Sequence, residues 1–303
     1  MEHQWTLKNA IQIQGIGLHS GKNVHLTLKP ADENFGIQFL RTDLKNQQFI
    51  PAHIDFVRPS DLCTTLGRSE ENFVSTVEHL MAALNGLGVD NVSIEIDAAE
   101  IPILDGSSSF FTVEILKVGL RKQKLLRKFY CLRKEFKLVD GDKSVSSKPS
   151  HIPHVKAFLD YPWKMIGKQE VQIDLSQSGF MQLHYARTFC HLKDVEAMRR
   201  HGLALGGSLE NAIVVTDHSI LNPEGLRTPD EFARHKVLDF MGDIFLLGHR
   251  IYADFELKKS GHAMHSRFTK ELLTKKDEYL TVVECLPNPT ISILATPIMA
   301  SVK

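Results

Sequence analysis

The residues whose types and spacing are most suggestive of chemistry are His235, Asp239 and Asp243, which recur at intervals of four. In a helix, Asp239 falls about 40° and Asp243 about 80° around the axis from His235, so the three side chains share one stripe. A histidine and a carboxylate one turn apart can both reach a single zinc ion. An isolated H-x-x-x-D is nevertheless more often an ordinary exposed pair. The spacing alone leaves both interpretations open.

A third histidine offers the ligand that would complete such a site. His79 follows Glu78 in the segment Ser75-Thr76-Val77-Glu78-His79. One interpretation is structural, because Ser75 and Glu78 have the spacing of a capping box, which would hold the glutamate at a helix terminus. The other is catalytic, since two histidines, an aspartate and a neighbouring glutamate are the set expected around a zinc ion that keeps one position open for water.

The elements that must position these residues follow the same order in both halves of the chain. Apolar patterning predicts a hairpin over residues 4–28, a helix at about 76–85, a strand at 92–96 and a second helix through residue 116. The second half has strand-like segments at 130–138 and 171–175, a helix at about 229–248, a strand at 251–257 and a helix at about 263–273. The segment Thr228-Pro229-Asp230-Glu231 predicts a capped start for the long helix, which should bury one face and present the site residues on another.

This repeated order predicts an α+β fold of two similar domains, residues 1–126 and 127–303. We expect each domain to be a β-sheet layered against a pair of helices, with the two packed helix face to helix face so that the ligands meet. The join is expected near residues 117–128, within a basic cluster that runs from Arg121 through Arg127 to Lys137 and is interpreted as a solvated linker and hairpin edge. Apolar residues of a segment at 189–208 are, by their pattern alone, more often part of a core.

The overall composition excludes several classes of protein. Of the 303 residues, 36 are Lys or Arg and 36 are Asp or Glu, so no net field points to a nucleic-acid partner. The N-terminus has no signal-peptide pattern and no apolar run reaches the roughly 18 residues needed to span a bilayer, so we expect a cytoplasmic protein. The four cysteines, Cys63, Cys131, Cys190 and Cys285, lack metal-type spacing and are expected to be reduced thiols.

Seven blocks of sequence together resemble the signature of the UDP-3-O-acyl-N-acetylglucosamine deacetylase family, in the family's order. They are GLHSG (17–21), STVEHL (75–80), EIPILDGS (100–107), ARTF (186–189), RHKVLD (234–239), GD (242–243) and KSGHA (259–263). The resemblance implies zinc-dependent hydrolysis of an N-acetyl group, with release of acetate, in the biosynthesis of lipid A. Cys190 and the segment His265-Ser266-Arg267 depart from the family's common pattern.

The resemblance also assigns roles in catalysis. It implies that one zinc ion per chain is held by His79, His235 and Asp239, and that Glu78 is the general base that takes a proton from water. It implies that a protonated His262, oriented by Asp243, stabilises the oxyanion or protonates the leaving amine. Thr188 resembles a hydroxyl donor to the oxyanion.

Further residues resemble the family's contacts with a UDP-linked, acylated glucosamine. Lys236, which is also expected to assist catalysis, Lys259 and, on weaker grounds, Lys143 would face the diphosphate, while Asp160 and Tyr161 would contact uridine. A passage for the acyl chain is expected at about 189–214, with Leu62 and Cys63 near the mouth of the site; Cys63 has an equally good interpretation as a small buried side chain. The expected passage residues are Phe189, Leu192, Val195, Ala204, Leu209 and Val214.

Two other functions remain open on sequence grounds. One is a zinc amidase or esterase that uses the same ligands on a different substrate. The other is a silent nucleotide- or lipid-sensing protein in which a metal braces two domains, although a structural zinc normally has four protein ligands. We expect a monomer without a transmembrane segment, and peripheral contact with a membrane is left open.

Overall fold

The computed structural model describes residues 2–60 and 62–284, so Cys285 and the C-terminal end of the second expected domain lie outside the described residues. Helices and strands are interspersed along the chain, which confirms the α+β class. The strands of the first half are β1 (His3–Leu7), β2 (Ile11–Ile16), β3 (Asn23–Pro30), β4 (Ile37–Arg41), β5 (Ile50–Pro51), β6 (Val57–Arg58), β7 (Thr65–Gly67), β8 (Phe73–Val74), β9 (Val92–Ile96) and β10 (Leu120–Leu126). Those of the second half are β11 (Phe129–Leu132), β12 (Phe136–Asp140), β13 (Lys143–Pro149), β14 (His154–Asp160), β15 (Lys168–Asp174), β16 (Phe189–His191), β17 (Ile213–Val215), β18 (Arg250–Lys258) and β19 (Leu280–Val283). The helices are α1 (Glu78–Gly86), α2 (Ser109–Val118), α3 (Gln177–Phe180), α4 (Leu192–Arg200), α5 (Glu231–Ile244), α6 (His262–Thr274) and α7 (Lys276–Tyr279), with 3₁₀ turns at Ile54–Phe56 and Phe245–Leu247.

The first large sheet has the strand order β2-β3-β9-β4-β5. The expected hairpin is confirmed for β2 and β3, which pair antiparallel with Ile13 opposite Leu26, so that the alternating apolar residues face the core. The expectation is wrong for residues 4–7, because β1 leaves this sheet and pairs instead with β10. The basic stretch expected to be a linker is therefore largely a strand.

Arg127 is the clearest exception within the basic cluster, because its side chain is only 2 % exposed. Its Nε donates to Oδ1 of Asp90 at 2.8 Å, and it also pairs with Glu2. The solvated interpretation is wrong at this position, because two carboxylates from other parts of the fold surround the guanidinium. Burying such a charge is tolerated only when it is paired in this way.

The second large sheet is built around β18. This strand pairs antiparallel with β13 and parallel with β11 and β14, while β12, β19 and β15 extend the sheet outward. The expected strand at 251–257 and the expected helix at 263–273 are confirmed as β18 and α6, each within a residue or two of its predicted bounds.

Helices α1 and α5 lie directly against each other, and α5 also contacts β14 and β15 of the second sheet. Gly242 of α5 makes this approach possible, since a Cβ atom there would lie 2.2 Å from the carbonyl oxygen of Glu78 in α1. Asn85 donates its side-chain amide to the carbonyl of Met241 at 2.8 Å, which adds a second tie between the helices. The helix faces of the two halves therefore meet, as the ligand set requires, while the division at residue 126 stays a prediction.

The predicted one-faced burial of the long helix is wrong. Helix α5 is buried over nearly its whole length, because α1, α6 and the strands β14 and β15 surround it. Its predicted capping box is also wrong: Asp230 precedes the helix without a side-chain cap, and Glu231 instead accepts hydrogen bonds from the buried Arg187.

Candidate active site and metal centre

The structure brings the three expected ligands together at the contact between α1 and α5. His79 lies in the first turn of α1, and His235 and Asp239 lie one turn apart on α5. Oδ1 of Asp239 is 3.2 Å from Nε2 of His235 and 3.6 Å from Nε2 of His79. The donor atoms of all three residues lie within 4.8 Å of one another. All three side chains are almost completely buried.

The protonation states of these residues fit a metal ion. Nδ1 of His235 lies 3.0 Å from the carbonyl oxygen of Ala186, which places the ring proton there and leaves the lone pair of Nε2 facing Asp239. Burial lowers the pKa of His235 to about 3, so the imidazole is neutral. Oδ1 of Asp239 is buried and has no hydrogen-bond partner among the described residues. A buried carboxylate oxygen that lies beside the Nε2 atoms of two histidines needs a cation to offset its charge.

The second oxygen of Asp239 accepts a hydrogen bond from Nζ of Lys236 at 2.9 Å. Burial alone would raise the pKa of Asp239, but His235 and Lys236 lower it well below its usual range. Lys236 in turn lies 5.3 Å from the ring centroid of Phe189 and lines the cavity above the ligands. The aspartate is thus held ionised, with one oxygen free for a metal.

Glu78 does not cap its helix, so the capping-box interpretation is wrong. Residue 77 precedes α1 without a side-chain cap, and the hydroxyl of Ser75 donates to the carbonyl of Ala99. The carboxylate of Glu78 points into the site, where Oε2 accepts a hydrogen bond from the backbone N–H of Thr64 at 2.9 Å. Burial raises the pKa of Glu78, with His262 and His79 opposing the rise. A carboxylate poised in this way is better matched to proton transfer near neutral pH than an exposed one.

His262 faces the ligands from the N-terminus of α6. Its Nε2 lies 3.9 Å from Oε1 of Glu78 and 3.8 Å from Oδ2 of Asp239. Its Nδ1 lies 2.8 Å from Oδ2 of Asp243. Burial alone would lower the pKa of His262, but Asp243 and Glu78 raise it to about 10, while His262 in turn holds the pKa of Asp243 down to about 2 against the effect of burial. The pair is therefore an imidazolium and a carboxylate.

The blocks at 17–21 and 100–107 line part of the cavity through Leu18, His19 and Ile103, and they also support the turn before α1. The carboxylate of Glu100 accepts hydrogen bonds from the backbone N–H groups of His19 and Ser20, each at 2.8 Å, and from the hydroxyl of Thr76 at 3.2 Å. Thr76 has a positive φ of 57°, a strained conformation for a β-branched residue, at the point where the chain turns into Glu78 and His79. Glu100 thus fixes the turn from which the side chains of Glu78 and His79 extend into the site.

Three residues of the site escaped the sequence reasoning. Glu100 stands in one of the recognised blocks, which was the only signal for it. The hydroxyl of Thr64, which is far from Asp243 in the chain, lies 2.6 Å from Oδ1 of Asp243. Nδ1 of His265, one turn after His262 on α6, lies 2.8 Å from Oδ2 of the same residue. The departure of residues 265–267 from the common pattern was the one signal for His265.

A cavity of about 860 Å³ opens above the ligands. Its floor contains Glu78, His79, His235, Asp239 and His262, and Thr188 lies in its wall. The expected substrate residues that line it are Leu62, Cys63, Lys143, Tyr161, Phe189, Leu192, Val195, Ala204, Leu209, Val214 and Lys236. Lys259 and Asp160 are not among the lining residues; they pair with each other at 2.9 Å, and Lys259 also pairs with Asp142. Asp243 lies behind His262 rather than in the cavity wall.

Helix α4 forms one side of this cavity. None of its residues is buried in the core, and Leu192, Val195 and Met198 face the cavity instead. The pattern-based interpretation of this segment as core is therefore wrong for the helix itself, because its apolar stripe faces an open space. The Tyr161 ring, which also lines the cavity, stacks on Trp163 with centroids 5.2 Å apart.

Comparison with known proteins agrees with this geometry. Residues 4–274 match the sequence model of the family described as LpxC, UDP-3-O-acyl N-acetylglycosamine deacetylase. The chain belongs to this family. It is 44 % identical over 289 residues to the UDP-3-O-acyl-N-acetylglucosamine deacetylase of Geobacter sp. (strain M21), which covers 95 % of this chain and 94 % of that protein. The deacetylase of Histophilus somni (strain 129Pt) is 44 % identical over 282 residues, 92 % of each chain.

The family match runs from β1 through the end of α6 and so includes every residue of the site described above. The resemblance drawn from the seven blocks is thereby confirmed at the level of the deacetylase family. Among the described residues, no helix combines the length and the apolar character that crossing a bilayer requires.

Proposed function

We propose that this chain removes the N-acetyl group of UDP-3-O-(3-hydroxyacyl)-N-acetylglucosamine, releasing acetate, in the biosynthesis of lipid A, and that it uses one zinc ion to do so. The observation that carries this proposal is the meeting of His79 with His235 and Asp239 beside Glu78, at the floor of a cavity with one apolar wall. The chain's membership of the deacetylase family names the reaction.

His79, His235 and Asp239 would hold the zinc ion. Two histidines and one carboxylate are a usual catalytic set, which leaves a position open. When bound, zinc would act as a Lewis acid that lowers the pKa of a water molecule on the metal to about 7.

Glu78 takes the proton of the attacking water as the C–O bond to the acetamide carbonyl forms. Its pKa is raised by burial, and the N–H of Thr64 holds one of its oxygens, so the other is free to accept. Breakage of the C–N bond then requires a proton on the leaving amine. His262 carries that proton on Nε2, because its Nδ1 proton is held by Asp243. The products are acetate and a free amine.

Thr188 and Lys236 both line the cavity and can stabilise negative charge that develops during the reaction. Thr188 lies in the cavity wall, where its hydroxyl can donate to the developing oxyanion, and its backbone N–H is anchored to the carbonyl of Gly106 at 2.8 Å. Lys236 keeps its charge, since Asp239 raises its pKa against the effect of burial. It can neutralise negative charge near the ligands.

The substrate's two ends would lie in opposite parts of the cavity. Lys143 and Tyr161 both line the cavity, where an ammonium would suit a diphosphate and an aromatic ring would suit uracil. Lys259 and Asp160 can join this contact only if substrate separates them from their present pairing. The acyl chain would lie along Val195 of α4 and past Ala204 and Val214. Each buried methylene would contribute roughly 0.8 kcal/mol to binding.

The quaternary state and surroundings are part of the same proposal. We expect a monomer that meets membranes at most peripherally, through exposed leucines that line the cavity, such as Leu62 and Leu209.

Two variants test the function. Glu78→Gln should keep zinc but lower acetate release on the order of 10²- to 10⁴-fold, because the amide cannot accept the proton. His79→Ala should lose both zinc and activity. Zinc content by elemental analysis and product mass after incubation with UDP-3-O-acyl-N-acetylglucosamine, with and without a chelator, are the measurements.

Glu70→Gln is the matched control, because that glutamate is 91 % exposed and remote from the ligands. It should match the wild type in both assays. Wild-type activity in Glu78→Gln would remove Glu78 from the mechanism. If the wild-type, zinc-loaded protein leaves the mass of the substrate unchanged, the proposed function is refuted.

A further inference from the structure

His265 lies one turn after His262 on α6, with its side chain completely buried. Its Nδ1 lies 2.8 Å from Oδ2 of Asp243, the same oxygen that Nδ1 of His262 approaches at 2.8 Å. Its Nε2 lies 3.0 Å from the hydroxyl oxygen of Ser260. One carboxylate oxygen therefore serves two imidazole rings.

The positions of the protons follow from these partners. An ionised carboxylate only accepts hydrogen bonds, so Nδ1 of His265 must carry a proton and donate it to Asp243. Nε2 of His265 then accepts from the hydroxyl of Ser260. Burial lowers the pKa of His265, which agrees with the neutral ring that this arrangement requires. The remaining oxygen of Asp243 accepts from the hydroxyl of Thr64 at 2.6 Å.

The Asp243 carboxylate thus accepts three hydrogen bonds, one from Thr64 on Oδ1 and two from histidines on Oδ2. The terminal torsion of an aspartate is broad, so without such partners its carboxylate can turn. His262 lies at the edge of the cavity, and its Nδ1 lies 2.8 Å from Oδ2 of Asp243 and 3.2 Å from the hydroxyl oxygen of Thr64. Because that hydroxyl donates its proton to Asp243, the shorter contact with the carboxylate is the main one that orients the ring. The direction of the Asp243 carboxylate therefore sets the direction of the His262 ring.

We propose that His265 is a positioning residue for deacetylation: with Thr64, it locks the Asp243 carboxylate in the rotation that aims Nε2 of His262 at Glu78 and Asp239. This inference rests on the proposed role of His262 as proton donor. According to this proposal, catalysis depends on the hydrogen bond that the Nδ1–H group of His265 donates to Asp243, and not on the volume of the His265 ring.

Substitutions of His265 separate the hydrogen bond from the packing. His265→Asn places an amide N–H close to the position of Nδ1 and so keeps a donor to Asp243. His265→Leu keeps much of the volume, including packing against Phe240, whose ring centroid lies 5.1 Å away, but removes the donor. His265→Gln places its amide towards Ser260 and also leaves Asp243 without this donor.

The expected results are specific to a positioning role. His265→Leu and His265→Gln should lower kcat by about 10- to 100-fold with KM nearly unchanged, whereas His265→Asn should stay within about threefold of the wild type. Thermal unfolding of each variant shows whether packing has changed. Equal losses of kcat in the Asn and Gln variants, or no loss in the Gln variant, would overturn the proposal. If the Leu variant does not fold, the comparison of Asn with Gln decides.

A second measurement does not depend on turnover. In proton NMR of the zinc-loaded wild type, the two imidazole N–H groups bonded to Asp243 should give two downfield resonances. His265→Asn should remove one and keep that of His262, whereas in His265→Gln the His262 resonance should also shift or broaden. An unperturbed His262 resonance in the Gln variant would refute the lock. If the wild type shows both resonances but releases no acetate, the proposed function fails while the hydrogen-bond pair stands.

Discussion

Gly242→Ala is the substitution that tests most directly how the fold builds the site. The new Cβ would lie 2.2 Å from the carbonyl oxygen of Glu78 and 2.9 Å from its carbonyl carbon, whereas ordinary contacts begin at 3.4 Å. Both atoms belong to helix backbone, so no side chain can turn away to make room. The two helices must separate by about 1 Å or more at the residue proposed as the base.

The effect on activity should exceed the effect on stability. A misplacement of about 1 Å can cost on the order of 10²-fold in rate, and here it would shift Glu78 and His79 together relative to Asp239. Overpacking costs about 1–3 kcal/mol, while alanine in place of glycine inside a helix recovers roughly 0.5–1 kcal/mol. We therefore expect kcat to fall about 100-fold, with a modest loss in the free energy of unfolding.

Gly86→Ala is the matched control. It makes the same change in α1, but its Cβ would lie 2.1 Å from the ring of Phe180, which is not part of the site. Steady-state kinetics with saturating zinc, together with urea unfolding of both variants, gives the comparison. Gly86→Ala should lose stability while keeping most of its kcat. A Gly242→Ala enzyme with kcat within threefold of the wild type, or equal losses of kcat in the two variants, would refute the reasoning.

Three further predictions concern the passage, a buried ion pair and a thiol. Val195→Trp should shorten the acyl passage by two or three methylenes and lower kcat/KM about 10- to 100-fold for long-chain substrate but not for a short-chain one; equal losses would count against the passage. Glu231→Gln should lower the free energy of unfolding, measured by urea titration, by about 3–5 kcal/mol, because it removes a buried charge partner of Arg187. Glu224 is the other partner of Arg187 and is 54 % exposed, so Glu224→Gln should lower the free energy of unfolding far less. Burial raises the pKa of Cys63 to about 12, so its thiolate fraction at pH 8 should be on the order of 10⁻⁴. Alkylation of this thiol in the folded protein, followed by peptide mass spectrometry, should therefore be slow. Rapid labelling would contradict a buried environment for Cys63.

Elements with strong local periodicity were predictable from the chain alone. Strand β9 was placed at its observed bounds, and β2, β3, α5 and α6 were placed within a few residues. Their patterns arise because a strand repeats every two residues and a helix every 3.6, whatever the rest of the fold does.

Local rules failed where a distant partner competes for the same side chain. Glu78 and Glu231 both have the spacing of a capping box, but the Glu78 carboxylate points into the candidate site and that of Glu231 pairs with Arg187. A buried charge-assisted contact is stronger than a terminal hydrogen bond that water can replace, so the tertiary partner prevails. The same reason explains why Arg127 is buried although its neighbours are exposed.

The sequence by itself determined which side chains share a helical stripe and which stand next to each other, because those relations depend only on backbone geometry. It thus determined that His235 and Asp239 reach the same point, and that Glu78 adjoins His79. Only the tertiary structure decided that these two pairs meet, that Glu100 aims one of them, and that Thr64 and His265 close around Asp243. Those contacts depend on how closely α1 and α5 pack, and that distance is set by the absence of a side chain at Gly242 and by the packing of the whole core.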